Sequence, residues 1–382
     1  MSLALARTPL DAWHRDAGAK MLEFAGYEMP IQYAAAGGEH GIVAEHGIVA
    51  EHQACRTSAA LFDVSHMGRL RFDGEGSEDL LDHLLTRRVS DLPVGRVRYS
   101  LMCNAQGGVL DDVLVSNLMT PSERRFHLLV VNASNRGKIL KWIEPHLQDY
   151  PTVTMSDRTE LTAMIAVQGP KAVEVCSRLF SFDPKRLKYY RAVITDQFKK
   201  PVIVSRTGYT GEDGFELIVR AEEARRVWEN LLMAGRDEGF TAAGLGARDT
   251  LRMEAGMPLY GHELGETVDP IAAGLGFACD LQGRSFIGDE KLRQIASAGP
   301  SQTRIGLLPV GKRPARQGSS VLNRAGRRIG VVTSGGPSPT LGRPIAMAMV
   351  DTADAKDAEF QIDVRGKPVA AVPTALPFYK RK

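Results

Sequence analysis

Apolar and polar positions alternate loosely across residues 61–72, which predicts a strand, and residues 80–85 carry the spacing of a short helix. Strands are then predicted at 98–103, 109–117 and 126–131, with a helix at 136–144. A second strand-rich stretch follows between 161 and 220, with apolar runs at 164–167 and 202–204 and an alternating strand at 215–219. Residues 221–234 place Val227, Trp228, Leu231 and Leu232 on one face among Glu and Arg, so a strong amphipathic helix is expected there. Strands interrupted by helices on this scale predict an α+β layer fold.

Beyond Pro300 the texture changes. Short apolar runs at 304–308, 320–322, 329–333, 345–350 and 359–364 are broken by Gly, Pro and Asn, which predicts a small β-barrel or sandwich. The boundary before it is expected within residues 296–303.

Near the start, the hexapeptide Glu-His-Gly-Ile-Val-Ala occurs at 39–44 and again at 45–50. Six residues advance a helix by about 600°, so both copies cannot turn their apolar residues to one core face, and one copy is surplus. The same spacing splays His40, His46 and His52 around a helix instead of stacking them as ligands, so no metal is expected.

With 382 residues the chain has room for two or three domains, and 43% hydrophobic with 24% charged residues is ordinary for a globular protein. The net charge of +3 is spread among acids, which argues against a dedicated nucleic-acid surface. Cys55, Cys103, Cys176 and Cys279 lie far apart with no CxxC pair, so reduced, mostly buried thiols are expected. No apolar run is long enough to span a bilayer, and acids near the N-terminus disfavour a transit peptide. A cytoplasmic protein, or a processed matrix protein, is expected, and a monomer.

Candidate chemistry concentrates in two strings. In the first, Gly107 and Gly108 permit a tight turn before a strand that carries Asp111 and Asp112. Consecutive strand residues face opposite sides, so one carboxylate can face a site while the other braces the turn, and spacing alone does not choose between them. In the second, Gly208-Tyr209-Thr210-Gly211-Glu212-Asp213-Gly214 precedes a strand with Phe215, Leu217 and Val219 on one face and Glu216 and Ile218 on the other. Glu216 is either an exposed strand residue or an acceptor of two parallel hydrogen bonds from an amidine-like edge such as that of a pterin. No dinucleotide or P-loop fingerprint is present in this string.

Residues 247–256 read as a helix with Arg248 and Arg252 on one side, so at least one of them should engage an acid. Leu251, Met253 and Met257 are expected in the core. His66 is left open between lining a site and structural packing.

Thr8-Pro9-Leu10, Phe24-Ala25-Gly26-Tyr27-Glu28-Met29-Pro30, the stretch 62–68, Val167-Gln168-Gly169-Pro170, the string 208–216, the stretch 244–256, and Thr333-Ser334-Gly335 with Ser338-Pro339 occur in one order along the chain. In these motifs, and across nearly its full length, the chain resembles the aminomethyltransferases (T-proteins) of the glycine cleavage system. The resemblance implies a three-domain cloverleaf, with ferredoxin-like α+β domains, a C-terminal jelly-roll-like β-barrel and tetrahydrofolate in a central cavity. The implied domains are 1–62 plus 157–268, then 63–156, a connecting segment 269–299, and the barrel 300–382. It also implies the partner and reaction: the methylene of aminomethyl-lipoyl H-protein passes to tetrahydrofolate, with release of ammonia and dihydrolipoyl H-protein.

Carried over by motif, the family's catalytic carboxylate falls on Asp112 and its pterin-edge acceptor on Glu216. Tyr99, Tyr209 and Tyr189 match its folate contacts, with Tyr190 as the alternative to Tyr189. Arg248 matches an arginine of its substrate cavity, and Arg365 one supplied by the barrel. The doubled hexapeptide departs from the family pattern, and removing one copy is expected to leave activity unchanged.

Two other readings compete. A tetrahydrofolate-dependent demethylase of the same superfamily would be expected to depart from the Asp112 string, and its flavin fusions carry a dinucleotide fingerprint that the first hundred or so residues here lack. A folate-binding protein of iron–sulfur assembly would carry a cysteine in a K-G-C-Y-x-G-Q-E motif where this chain has Arg206-Thr207-Gly208-Tyr209-Thr210-Gly211-Glu212.

Overall fold

In the computed structural model the described residues are 4–33, 47–197, 200–357 and 359–381. The first hexapeptide copy, with His40, and the first two residues of the second, with His46, lie outside them, while His52 is buried on the helix Ile48–Thr57. The chain divides into two compact units, one comprising 1–78, 91–98 and 114–249 and the other 79–90, 99–113 and 250–382.

The first unit is built on mainly antiparallel sheet, with parallel pairing where Thr241–Ala242 meets Ala60–Asp63 and where Ala6–Arg7 meets Tyr27–Tyr33. A six-stranded sheet runs in the order Ala192–Gln197, Lys200–Ser205, Gly214–Arg220, Thr162–Gln168, Ala60–Asp63, Thr241–Ala242. One of its faces carries Leu61, Ile165, Val167, Phe215, Leu217 and Val219 into a core closed by Trp13 and by Val227, Trp228 and Leu231 of the helix Ala224–Ala234. The expected helix over 221–234 therefore holds, with a single 3-10 turn, Ala221–Glu223, as its entry. Ala6–Arg7, Tyr27–Tyr33 and Ala19–Phe24 form a separate three-stranded sheet.

The stretch 61–72 corrects the sequence expectation. It forms two strands, Ala60–Asp63 and Gly68–Asp73, in different sheets, with buried Val64, Ser65 and His66 in the turn between them. At the end of the first strand the Asp63 carboxylate is claimed by groups outside the sheet: it accepts from the Ser65 amide (2.9 Å), Thr8 Oγ1 (2.6 Å) and His14 Nε2 (3.0 Å). Gly68–Asp73 joins a five-stranded sheet ordered Arg96–Cys103, Val109–Met119, Arg125–Val131, Gly68–Asp73, Thr154–Asp157, whose first two strands run on into the second unit.

The second unit contains a closed barrel in the order Gln302–Pro309, Arg343–Asp351, Arg328–Ser338, Ser320–Leu322, Phe360–Asp363, Pro368–Thr374. The five strands expected from sequence are all in it, and Pro368–Thr374 is the sixth. Leu307, Val332, Ala348, Val350, Phe360 and Ile362 fill its interior. The helix Leu245–Glu254 ends in this unit, where Arg252 meets Glu263 at 2.9 Å, with both side chains excluded from solvent. Arg252 also donates to Ser334 Oγ (2.8 Å), so the expected acid partner for one of the two arginines is found. Leu251 and Met253 are buried, and all four cysteines are free thiols, Cys279 alone being partly exposed.

Among the described residues no helix is long and apolar enough to cross a membrane, and no cluster of His, Cys, Asp or Glu is arranged to hold a metal ion.

Candidate functional site

Two groups of side chains carry the candidate chemistry, one in each unit. In the first unit, Thr207 and Glu216 flank the glycine-rich turn. Gly208 lies so close to Gln168 that a Cβ there would stand 1.8 Å from Gln168 Oε1, which leaves no room for a side chain. Buried Gln168 fastens the turn by donating from Nε2 to the Thr207 carbonyl (3.0 Å) and accepting at Oε1 from Thr210 Oγ1 (3.0 Å). Arg56 holds the tip through the Thr210 carbonyl (2.7 Å) and Glu212 (2.9 Å), and Arg206 forks onto Asp213 at 3.0 and 2.5 Å. So constrained, the turn delivers Glu216 at a fixed place on its strand.

Glu216 is buried, opposite Ala166 on one neighbouring strand and Ser205 on the other. Its side chain lies on the face away from the Phe215, Leu217 and Val219 core, as the alternation predicts. There it lines a small pocket with Val97, Ser116, Met164, Ser205 and Thr207. Thr207 Oγ1 donates to Glu216 Oε2 at 2.5 Å. Burial raises the Glu216 carboxyl above the usual range, and the Thr207 hydroxyl and the Arg248 charge pull it back in part.

Arg248 sits with its guanidinium carbon 4.9 Å from the centre of the Tyr209 ring. Burial lowers its affinity for its proton, and Glu216 and Tyr209 oppose that shift. Its Nη1 is out of solvent and has no hydrogen-bond partner among the described residues. A buried donor left over in this way has hydrogen-bonding capacity to offer a ligand acceptor.

In the second unit, Asp111 and Asp112 take opposite faces, as consecutive strand residues must. Asp111 is fully buried, whereas Asp112 is only half-buried and its Oδ2 accepts from Tyr99 Oη at 3.2 Å. The other face of Tyr99 is covered by Phe277, stacked at 6.3 Å and itself 69% exposed. The turn before the pair is held by Asn104, whose Oδ1 accepts from the amides of Gln106 and Gly108, each at 3.0 Å.

The structure thus brings Tyr209, Glu216 and Arg248 together in one unit and Tyr99 and Asp112 together in the other. Tyr189 is exposed and packs edge-on against Tyr190 at 4.9 Å. Tyr190 adopts a left-handed backbone, φ 57°, and its amide donates to the Arg206 carbonyl (3.0 Å). Arg365, φ 57°, is exposed on the barrel turn between Phe360–Asp363 and Pro368–Thr374.

His66 is buried in edge contact with Phe24 (5.5 Å) and Tyr27 (6.4 Å), and its Nδ1 has no hydrogen-bond partner among the described residues. Burial, with Arg248 and Arg69 adding to it, lowers its pKa to about 4 against the pull of Asp63, so the imidazole is neutral at physiological pH. Thr207 braces Glu216 and Gln168 fastens the turn, roles that the motif reading did not assign, although Gln168 stands in the motif 167–170. The signal for Thr207 was its place immediately before the glycine turn, which sets it across the hairpin from Glu216.

The family model described as the GCVT N-terminal domain matches residues 10–283, and the one described as the glycine cleavage T-protein C-terminal barrel domain matches residues 302–380. An aminomethyltransferase of Streptomyces avermitilis is 42% identical over 100% of this chain and 99% of its own, and one of Deinococcus deserti 43% over 99% and 98%. The crystal structure of the glycine cleavage system aminomethyltransferase T from Bartonella henselae superposes with a TM-score of 0.89 at 33% identity, covering 98% of each chain. These matches span the whole chain, both candidate groups and the barrel included, so the chain belongs to the T-protein family and is an aminomethyltransferase of the glycine cleavage system.

Proposed function

We propose that the enzyme takes the methylene group of an aminomethyl-lipoyl arm on H-protein and passes it to tetrahydrofolate, releasing ammonia and dihydrolipoyl H-protein. The carbon–sulfur and carbon–nitrogen bonds of the carried group break and two carbon–nitrogen bonds to folate form. Two folate N–H protons leave, one to the ammonia and one to the lipoyl sulfur. Folate supplies the two nitrogens that accept the carbon. The finer architecture, a cloverleaf of two ferredoxin-like α+β domains (1–62 plus 157–268, and 63–156), the connecting segment 269–299 and the barrel 300–382 around a folate cavity, belongs to the same proposal.

The observation that carries the reading is Glu216: a buried carboxylate, braced on one oxygen by Thr207 and facing a pocket, with Arg248 beside it. A carboxylate offers about four acceptor sites, so one bond from Thr207 leaves capacity for the 2-amino and N3–H donors of a pterin. Tyr209, held under Arg248, and Tyr189 supply aromatic contacts in this reading, and Arg365 a cation from the barrel.

Asp112 is given the chemical role. Half-buried and held by the Tyr99 hydroxyl, its carboxylate stabilises positive charge on the one-carbon unit as ammonia leaves. It orients the accepting nitrogens without forming a covalent bond.

The test is ammonia release from aminomethyl-loaded H-protein, with and without tetrahydrofolate, in the parent and Asp112→Asn. Folate-dependent release that falls by about two to three orders of magnitude in the variant, with folate binding retained, is the expected result. A parent that releases no ammonia refutes the transfer.

A further inference from the structure

The barrel is electrically lopsided. Its strand registers set which loops share an end: Ser338 pairs with Arg343, Pro309 with Ala371, Val321 with Ile362 and Asp363 with Pro368. The loop 310–319, the turn 339–342 and the turn 364–367 therefore lie together at one end. The loops and strand ends there carry Lys312, Arg313, Arg316, Arg343, Arg365 and Lys367 against one acid of their own, Asp363, whose Oδ1 is occupied by the Gly366 amide (2.6 Å), and the buried Glu254 beneath the turn 339–342 is taken up by Thr340 (2.7 Å) and Ser338.

The opposite end, formed by the loops 323–327 and 352–359 and the strand ends beside them, balances Arg324, Arg327, Arg328 and Lys356 against Asp351, Asp354, Asp357 and Glu359. There Arg327 is paired to Asp354 at 2.6 Å. At the basic end all six cations are exposed, and none makes an ion pair with a described residue. Arg316 is held on the rim by the Gly335 carbonyl (3.4 Å).

Like charges gathered without counter-ions destabilise the fold slightly, so their segregation calls for a role outside it. Val310 (55% exposed) and Leu341 (39%) stand among these cations. Apolar residues inside a charged rim suit a protein face better than a small anion, which needs donors converging on one point. The three segments contain no aromatic residue on which a base could stack, which disfavours nucleic acid.

We infer that the basic end of the barrel docks an acidic protein surface. Resting on the function proposed above, the acidic partner is H-protein, which the rim steers and holds while its arm delivers the aminomethyl group. Charges of this kind act mainly on association rate and on salt dependence.

The experiment measures binding of unlipoylated H-protein calorimetrically at about 50 and 200 mM salt. It compares the parent, Lys312→Glu/Arg313→Glu/Arg343→Glu, and Arg324→Glu/Arg328→Glu at the opposite end. The rim triple should bind on the order of tenfold more weakly at low salt and lose most of the salt dependence, while the opposite-end variant binds like the parent. The milder Lys312→Gln/Arg313→Gln/Arg343→Gln should fall between, and guards against a folding defect in the reversal.

Ammonia release from loaded H-protein is read separately, with kcat at saturating H-protein expected to be unchanged in the triple. A parent that binds H-protein but releases no ammonia refutes the transfer reading and leaves the rim supported by the binding data. Equal affinity of parent and rim triple, or no binding of H-protein by the parent at either salt, overturns the docking surface. Displacement of H-protein by a short poly-γ-glutamate, or by an oligonucleotide at similar charge, reassigns the rim to a polyanion and overturns it as well.

Discussion

Replacing Arg248 by Met should destabilise the protein in a manner that depends on Glu216 and on pH. The two groups are electrostatically coupled, each shifting the ionisation of the other, with Glu216 buried and Arg248 Nη1 out of solvent. Removing one member of a wholly buried pair costs about 3–5 kcal/mol, but Arg248 as a whole is only half-buried and Thr207 still braces the carboxylate, so about 2–3 kcal/mol is expected at pH 8.

The sign of the pH dependence follows from the raised folded pKa of Glu216. Ionising it costs the folded state, so stability falls as pH rises from the unfolded value of about 4.3 through the folded one. Without Arg248 the folded pKa climbs further and the fall extends to higher pH. The penalty of Arg248→Met should thus grow between pH 5 and pH 8, and Glu216→Gln placed in the same chain should abolish most of it. Urea unfolding of the four chains at both pH values gives the cycle. An additive cycle, coupling below about 0.5 kcal/mol, or a penalty equal at both pH values would refute the pairing.

Asp63→Asn should cost about 3 kcal/mol at neutral pH, because the carboxylate, despite burial, is held at about 2 by His14, Ser65 and Thr8. That depressed pKa means the stabilisation is present above the unfolded value of about 3.9 and lost as pH falls toward 2, so acid unfolding curves of parent and variant should converge there. Glu51, pushed up to about 7 by burial against bonds from the Tyr33 (2.6 Å) and Gly244 (2.9 Å) amides, should make stability decline between pH 5 and 8. Glu51→Gln should flatten that decline at a cost of about 1–3 kcal/mol, read by chemical denaturation. Gly108→Ala would set a Cβ 1.8 Å from the Glu266 carbonyl oxygen, so a loss of about 2 kcal/mol or more is expected in a thermal melt, with turnover reduced because the turn aims the Asp112 strand.

What was legible in the sequence was periodic or turn-forming. The helix 221–234 showed its apolar stripe, the barrel strands were bounded by Gly and Asn, and the two glycine strings announced hairpins because backbone there approaches other groups too closely for a side chain. The break within 61–72 was not legible, because its cause is distant: Asp63 is claimed by Thr8 and His14, some fifty residues earlier in the chain. The strand Pro368–Thr374 was missed because two prolines interrupt it, Pro368 and Pro373, where local rules argue against a ladder that barrel closure nevertheless completes. Spacing could say that Asp111 and Asp112 face apart, but not which way, since that depends on which face the rest of the sheet buries.

The two candidate carboxylates differ physically in a way that suits a division of labour. Glu216 is buried, braced by a neutral hydroxyl and accompanied by the half-buried Arg248, a setting that fixes geometry and favours recognition of a donor edge over proton traffic. Asp112 is half-open, with a phenol at 3.2 Å, a looser and wetter setting than that of Glu216. An acid meant to stabilise transient positive charge must be ionised before that charge arises and must not already be neutralised by a fixed cation. Glu216, with Arg248 beside it, fails the second condition, and the function proposed above gives the role to Asp112. The exchange Asp112→Glu should therefore retain more activity than Asp112→Asn despite its greater change in reach. The reverse order would mean that Asp112 acts through position rather than charge.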